Sequence, residues 1–509
     1  MKRSSGVSDP VSAGSKILQG IQMTGRNTFW IVSLILGVSL AASSLGAQTA
    51  LSYEAAPPDN PLKGLVPYAG TQNDRFPHSM EFSYIPLSEL VVGEAEYDWR
   101  PLEKLMNDIA SRRHQTIFRV WMEYPGHRDG IPAYLEKQGV KVTQWMNTNT
   151  APFPQKMCRT PDYGDPRVRK MMTDFIAALG RTYDGDPRIG FITAGLLGTW
   201  GEWHTYPRNE LMADKRVQSE VMDAYEAAFK KTPILFRYPA GKDDYTHAAN
   251  HLRPFGYHDD SFAWATLDTG RKEDRWFFVP SLNDAGRGAV EKWEKWPIGG
   301  EIRPELWGDI FDERPRHPKA QDFAECVRQT HVTWLMDTGM FRETASPDRF
   351  KRALKQVRRM GYEFHVAKTC LTPGTQGFDL QLQVENRGVA PFYHGWIVEL
   401  GFFTEGGKQP LRCQKTDWSL LGILPGEPAH CWQTRIPVRS VPQRARYLAV
   451  RVVNPLPNGL PLIFANSADR QIGDGWLRVA EFSHARVSGG EGQTVSPIPR
   501  VARRVTHVL

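Results

Sequence analysis

Apolar and polar positions along this chain alternate in two rhythms, and the change from one to the other divides it. Up to about Gly361, short apolar runs without polar interruption take turns with amphipathic stretches of period 3.6. Uninterrupted runs of this kind are strands buried on both faces, as in a parallel sheet. They fall at Lys63–Pro67, Met80–Ile85, Thr116–Met122, Ile189–Leu196, Pro233–Tyr238 and Pro297–Ile302, with another at Val332–Met336. A sixth in chain order lies between Arg253 and Leu267, either at Arg253–Tyr257 or at Ser261–Leu267, the first being favoured. The amphipathic stretches predict helices at Trp99–Arg113, Arg167–Tyr183, Val217–Lys230, Ala285–Lys295, Asp322–His331 and Pro347–Met360. In Arg167–Tyr183, Val168, Met171, Met172, Phe175, Ile176 and Leu179 share one face.

Eight strands alternating with helices favour a (β/α)8 TIM barrel over an open doubly wound sheet. Two places fit poorly, namely the first βα unit, which has no room for a full helix, and the long loop 123–166. From Tyr362 the period falls to two, as in Leu380, Leu382 and Val384 of LQLQVEN. Similar strands at 396–403, 431–438 and 446–453, separated by Gly, Pro and Asn turns, make residues 362–483 a small antiparallel β-sandwich. The α/β barrel is then placed at 60–361, with 48–60 as a linker and 484–509 as a disordered tail.

Composition adds three constraints. The 41% of hydrophobic and 11% of aromatic residues exclude a disordered protein, and 16 Trp tilt the chain slightly toward carbohydrate. The formal charge of +7 sits at the ends, about +3 in residues 1–47 and +3 in 484–509. With no basic stripe in the body, nucleic acid is excluded as a partner. The stretch WIVSLILGVSLAASSLGA at Trp30–Ala47 reads as the apolar core and cleavage region of a signal peptide within 1–47. The expectation is a secreted or periplasmic protein with no stable membrane span after cleavage. In an oxidising compartment Cys413 and Cys431, which bracket one hairpin-like stretch, are the pair expected to form a disulfide.

Candidate chemistry gathers at the carboxyl ends of the strands, the active face of such barrels. The fourth strand ends in GTWGEWH, delivering Glu202 between Trp200 and Trp203, with His204 next. The seventh delivers Glu301. Two carboxyls facing each other across a barrel mouth can divide the work of glycoside hydrolysis. Arg119, Trp121 and Glu123 alternate along the third strand and so share a face, either at the mouth or as an ion pair lining the barrel. Tyr238, His258, Asp259, Asp260 and Trp307 are further substrate-binding candidates. No zinc or nucleophile motif is present, so neither metal nor cofactor is expected.

GTWGEWH, the strand-seven Glu301 and the DGIPAYL turn after the third strand look like the (β/α)8 retaining glycosidases of the β-galactosidase type. More widely, residues 60–480 resemble uncharacterised secreted bacterial proteins in which a glycosidase-like barrel precedes a β-sandwich, both domains of unknown function. The resemblance implies a secreted glycoside hydrolase acting with retention on an oligo- or polysaccharide, with Glu202 as acid/base and Glu301 as nucleophile. One position departs from it: such glycosidases usually carry Asn directly before the acid/base, and here Gly201 stands there. The alternative is a catalytically inactive barrel that binds glycan or serves a cell-surface assembly.

Overall fold

The computed structural model describes residues 48–70, 75–127, 130–148 and 154–482. The expected signal peptide and carboxyl-terminal tail lie outside them. Eight parallel strands form the core of the first module: β1 (Gly64–Val66), β2 (Met80–Pro86), β3 (Gln115–Trp121), β4 (Ile189–Thr193), β5 (Ile234–Phe236), β6 (Gly256–Phe262), β7 (Ile298–Ile302) and β8 (Trp334–Met336). From β2 to β8 each pairs with the next in chain order, and β8 pairs back onto β1. Closure between β1 and β2 comes from Phe82, whose N–H donates to Pro67 O at 2.9 Å and whose carbonyl accepts Ala69 N–H at 2.8 Å. The result is a closed (β/α)8 barrel. The sixth strand is neither of the expected placements but spans the gap between them, with His258, Asp259 and Asp260 in its middle.

Six helices coat the barrel: α1 (Arg100–Ser111), α2 (Pro166–Tyr183), α3 (Lys215–Ala228), α4 (Phe278–Ala285), α5 (Phe323–Thr330) and α6 (Pro347–Arg359). Local chemistry starts several of them. The Asp165, Asp214 and Asp322 carboxylates and the Ser346 hydroxyl accept first-turn N–H groups of α2, α3, α5 and α6. On α2 the six expected apolar residues are all buried. The helix meets α3 so closely that a Cβ at Gly180 would lie 2.5 Å from Ala228 O. The single helix expected at Ala285–Lys295 is broken: a helix from Phe278 ends at Gly286, whose φ is +93°, and only the short helix Arg287–Val290 and a 3-10 turn at Lys292–Glu294 follow. Loop 123–166 is not featureless, for it holds the short helix Ala133–Lys137 and a hairpin of Val142–Asn147 against Lys156–Pro161.

The second module is two antiparallel sheets. One contains β9 (Phe364–Gly374), β10 (Gly377–Asn386) and β13 (His430–Pro437); the other is β11 (Ile397–Phe403), β12 (Arg412–Lys415), β14 (Tyr447–Val453), β15 (Gln471–Gly473) and β16 (Trp476–Glu481). The segment expected as a linker adds a strand to the first sheet, Thr49 pairing with Thr369 and Ala50 with Lys368. Cys413 and Cys431 lie on β12 and β13, in different sheets, and both are free thiols, so the expected disulfide is absent. The sandwich closes the floor of the barrel: the His394 ring lies 5.3 Å from Phe191 of β4, which stacks at 5.9 Å on Trp334 of β8. With the floor filled by aromatic rings, the opposite mouth is the end left for chemistry.

Candidate active site

Glu202 reaches the mouth through a tightly folded turn. After β4 the backbone takes positive φ at Leu196, Gly198, Trp200, Gly201 and Trp203. Three of these carry side chains, a conformation that costs roughly 1–2 kcal/mol each and persists only where surroundings enforce it. The enforcing bonds are Leu196 N–H to Val120 O at 2.8 Å, Trp200 N–H to Glu123 O at 2.8 Å and Trp203 N–H to Leu197 O at 2.9 Å. Gly201 has φ +70°, and a Cβ there would meet Gly195 Cα at 3.1 Å and Arg119 Cδ at 3.3 Å. An Asn of the β-galactosidase type would be strained at this φ and would need Gly195 and Arg119 to give by a few tenths of an ångström, so the backbone itself favours glycine.

Turned inward, Glu202 joins a network of opposite charges. Arg119 of β3 donates from Nη1 to Glu202 Oε1 at 2.9 Å and from Nε to Thr193 Oγ1 at 3.1 Å. Its Nη2 lies 3.3 Å from His258 Nδ1. Arg237, directly after β5, pairs with Asp260 of β6. Burial works against charge on Asp260, but the Arg237 guanidinium holds its carboxyl well below the usual range. Asp260 in turn accepts a hydrogen bond from the Glu202 carboxyl. Glu202 moves the other way, raised by burial first and then by the Asp260 charge. Burial and the Asp260 charge thus both favour the protonated form of Glu202. His204 Nε2 lies 3.6 Å from Glu202 Oε2.

Glu301, on β7, is buried, and its carboxyl is pushed up to about 8 by burial and then by Glu202. Arg119 and Arg303 pull the other way. Arg303 is itself engaged by Glu305 at 2.9 Å. Glu202 and Glu301 are therefore electrostatically coupled carboxyls, and loss of a proton from one resists loss from the other.

Around them runs a continuous arc of half-buried rings. Trp307 lies 6.1 Å from Tyr68, Tyr68 6.2 Å from Tyr84, Tyr84 5.7 Å from Tyr124, Tyr124 6.4 Å from Trp200, and Trp200 6.1 Å from His204. Tyr68, Tyr84 and Tyr124 all feel the charges of Glu301 and Glu202. An aromatic wall beside paired carboxyls suits a ligand with apolar faces and polar edges, as sugars have.

Not every expected site residue joins this arrangement. Arg119, Glu202, Glu301, His204, Trp200, Tyr238, His258, Asp260 and Trp307 lie in the mouth or directly beneath it. Trp203 is in the outer core, its Nε1 donating to Ala194 O at 3.1 Å and its ring packed on Phe236. It gives Glu202 no apolar wall. Asp259 alternates to the outer face of β6, where it accepts from Thr266 Oγ1 at 2.7 Å. Glu123 follows the end of β3 and turns away from the mouth, taking bonds from Thr160 and Tyr163 at 2.5 Å each. Trp121 is buried beneath the arc against Tyr124 and His127. Arg237, Tyr68, Tyr84 and Tyr124 were not foreseen. Only Arg237 left a signal, a cation directly after an apolar strand.

Ligand atoms of Glu202, His204 and Asp260 lie within 4.8 Å of one another. The Arg119 and Arg237 guanidiniums already pair with the two carboxyls, so the trio suits proton chemistry better than a divalent ion.

No protein-family model matches the chain, and no curated protein matches it. Among solved structures it is similar to endo-glycoceramidase II from Rhodococcus sp., with 11% identity over 76% of this chain and 100% of that one, at a TM-score of 0.36. The catalytic domain of a β-amylase from Paenibacillus polymyxa gives 8% identity, 54% and 87% coverage and a TM-score of 0.34. An endoglucanase of Pseudomonas stutzeri gives 12% identity, 60% and 97% coverage and a TM-score of 0.33. All three are glycoside hydrolases. Superposition this loose carries no activity across to this chain, and the barrel rests on its own strand pairing.

Proposed function

We propose that the protein is an exported glycoside hydrolase that cleaves an oligo- or polysaccharide with retention of configuration. The observation behind this reading is the pair of coupled, buried carboxyls, Glu202 and Glu301, delivered by β4 and β7 to one barrel mouth beneath an aromatic arc. Burial and the Asp260 charge favour the protonated form of Glu202, which suits it to protonate a departing glycosidic oxygen. Arg119 and Arg303 favour the ionised form of Glu301, and while Glu202 is protonated its charge no longer adds to the burial that opposes ionisation. As a carboxylate it can attack the anomeric carbon, after which Glu202 activates water to release the sugar. Retention requires the two carboxyls to work at a separation of about 5–5.5 Å. Export rests on the apolar Trp30–Ala47 stretch.

The second reading, a glycan-binding barrel without turnover, draws on the Arg119 bond to Glu202, which ties up one oxygen of the acid. A panel of aryl glycosides and glycans assayed with the wild type, Glu202→Gln and Glu301→Gln separates the two. Turnover lost in both variants supports the hydrolase. Calorimetric binding without turnover in the wild type supports the binder.

A further inference from the structure

Glu123 is fully buried yet belongs to no part of the mouth, and its surroundings are specific. Its Oε2 accepts from Thr160 Oγ1 at 2.5 Å and from Cys158 Sγ at 3.7 Å, and its Oε1 accepts from Tyr163 Oη at 2.5 Å. Trp145 Nε1 donates to Thr160 Oγ1 at 2.9 Å, so the hydroxyl's own proton is free to point at Glu123. Three donors, two from the 142–161 hairpin and Tyr163 from the turn before α2, thus converge on one carboxylate. Such a cage is built for a charged acceptor.

The same cage reaches the Glu202 turn by two routes. Glu123 O accepts Trp200 N–H, and Tyr163 Oη accepts Gly198 N–H at 2.8 Å. Tyr163 Oη also lies 3.3 Å from Leu196 O, the carbonyl of the first positive-φ residue in the turn. A phenol has one proton to give. With Glu123 charged it goes to the carboxylate, and Tyr163 presents a fixed lone pair to Gly198. With Glu123 protonated the carboxyl must itself donate into the cage, and Tyr163 is released toward Leu196 O.

We propose that Glu123 is the positioning residue for Glu202, fixing the Leu196–Trp203 turn through Tyr163, and that loss of its proton tightens that hold. Burial raises the Glu123 carboxyl to about 7, against the bonds from Thr160, Tyr163 and Cys158, which places the change near neutrality. The groups facing it are Tyr163, Cys158 and Thr160 from the hairpin side and His204 from the turn, and a charge on His204 favours the ionised form. This takes from the preceding reading only that Glu202 is the working group of the turn.

Amide hydrogen exchange of residues 196–204, corrected for intrinsic rates and followed from pH 5 to 9 in the whole protein, tests it. Wild type should gain about tenfold protection at Gly198 and Trp200 across the titration, the size of one net hydrogen bond. Glu123→Gln should keep its thermal transition but lose the pH step. Tyr163→Phe, which leaves the carboxylate in place, should speed Gly198 exchange about tenfold throughout. A flat wild-type profile, a Glu123→Gln profile identical to a stepped wild type, or an unchanged Gly198 in Tyr163→Phe would each overturn the proposal. No substrate enters the measurement, so failure of the hydrolase reading leaves it decided all the same.

Discussion

Arg119 donates to Glu202 across 2.9 Å from a side chain only 2% exposed, so the candidate acid and the cation inside the barrel share one low-dielectric space. Removing the cation leaves Glu202, Asp260 and Glu301 with less compensation. Arg119→Met should therefore lower stability by about 3–5 kcal/mol, the usual result of breaking a buried pair from one side. Without Arg119 the folded-state pKa values of these carboxyls rise further, and stability tied to a raised carboxyl pKa is lost as pH increases. The deficit in urea unfolding should thus be larger at pH 8 than at pH 5. An equal deficit at both would mean that Arg119 acts by packing alone.

Glu301 supplies a second pH-linked expectation. Burial and the Glu202 charge push its carboxyl from the ordinary 4.5 up to about 8 in the folded protein. Protonated Glu301 therefore favours the fold fully below about pH 4.5, and this contribution disappears as pH rises through about 8. Glu301→Gln keeps the shape and removes the ionisation. Its Tm should exceed that of the wild type at pH 9 and approach it at pH 5, and a difference independent of pH would refute the assignment.

Gly201 accounts for the departure from the glycosidase pattern. At φ +70° any side chain is strained, and its Cβ would point into Gly195 and Arg119 rather than toward a bound sugar. Gly201→Asn should cost about 1–3 kcal/mol in thermal unfolding and should not improve affinity for any sugar that binds. Tighter binding would show that the turn can reopen.

The strands and most helices were legible because burial on two faces and burial on one leave different hydropathy patterns, as in Ile189–Leu196 against Val168–Leu179. Burial pattern names the face of a strand but not what happens past its end. Glu123 kept the alternation of Arg119 and Trp121 only on paper, because β3 stops at Trp121 and the chain turns toward a hairpin that turn chemistry did not announce. Trp203 misled for a related reason, since positive φ at Trp200, Gly201 and Trp203 sends adjacent residues in unrelated directions. Thr49 and Ala50, set in a stretch rich in Pro, carry no strand signal of their own, and their place is fixed by the open edge of β9. Arg237 acquires meaning only once β6 brings Asp260 to it.

Export is open to direct measurement. Mass spectrometry of the protein from its native host should find an amino terminus between about residues 43 and 51. An intact terminus at Met1 or Met23 would remove the case for a cleaved signal.

The two carboxyls should fail differently if they have different tasks. Glu202 as acid is needed when the leaving group is poor, so Glu202→Ala should spare activated aryl glycosides far better than natural linkages. Azide fits where the carboxyl was and attacks the glycosyl intermediate, so it should restore turnover and give a glycosyl azide of retained configuration. Glu301 as nucleophile is needed for every substrate, so Glu301→Ala should lose both activities. Azide entering from the vacated side should give the azide of inverted configuration. The pH profile adds a further sign. In the proposed mechanism Glu202 is protonated while Glu301 ionises, so Glu202→Ala removes no charge there and should leave the low-pH limb of the residual activity in place, while the high-pH limb, where Glu202 would lose its proton, should disappear. A high-pH limb that survives in Glu202→Ala, or wild-type turnover in Glu301→Ala, would break the division of tasks on which the proposed mechanism depends.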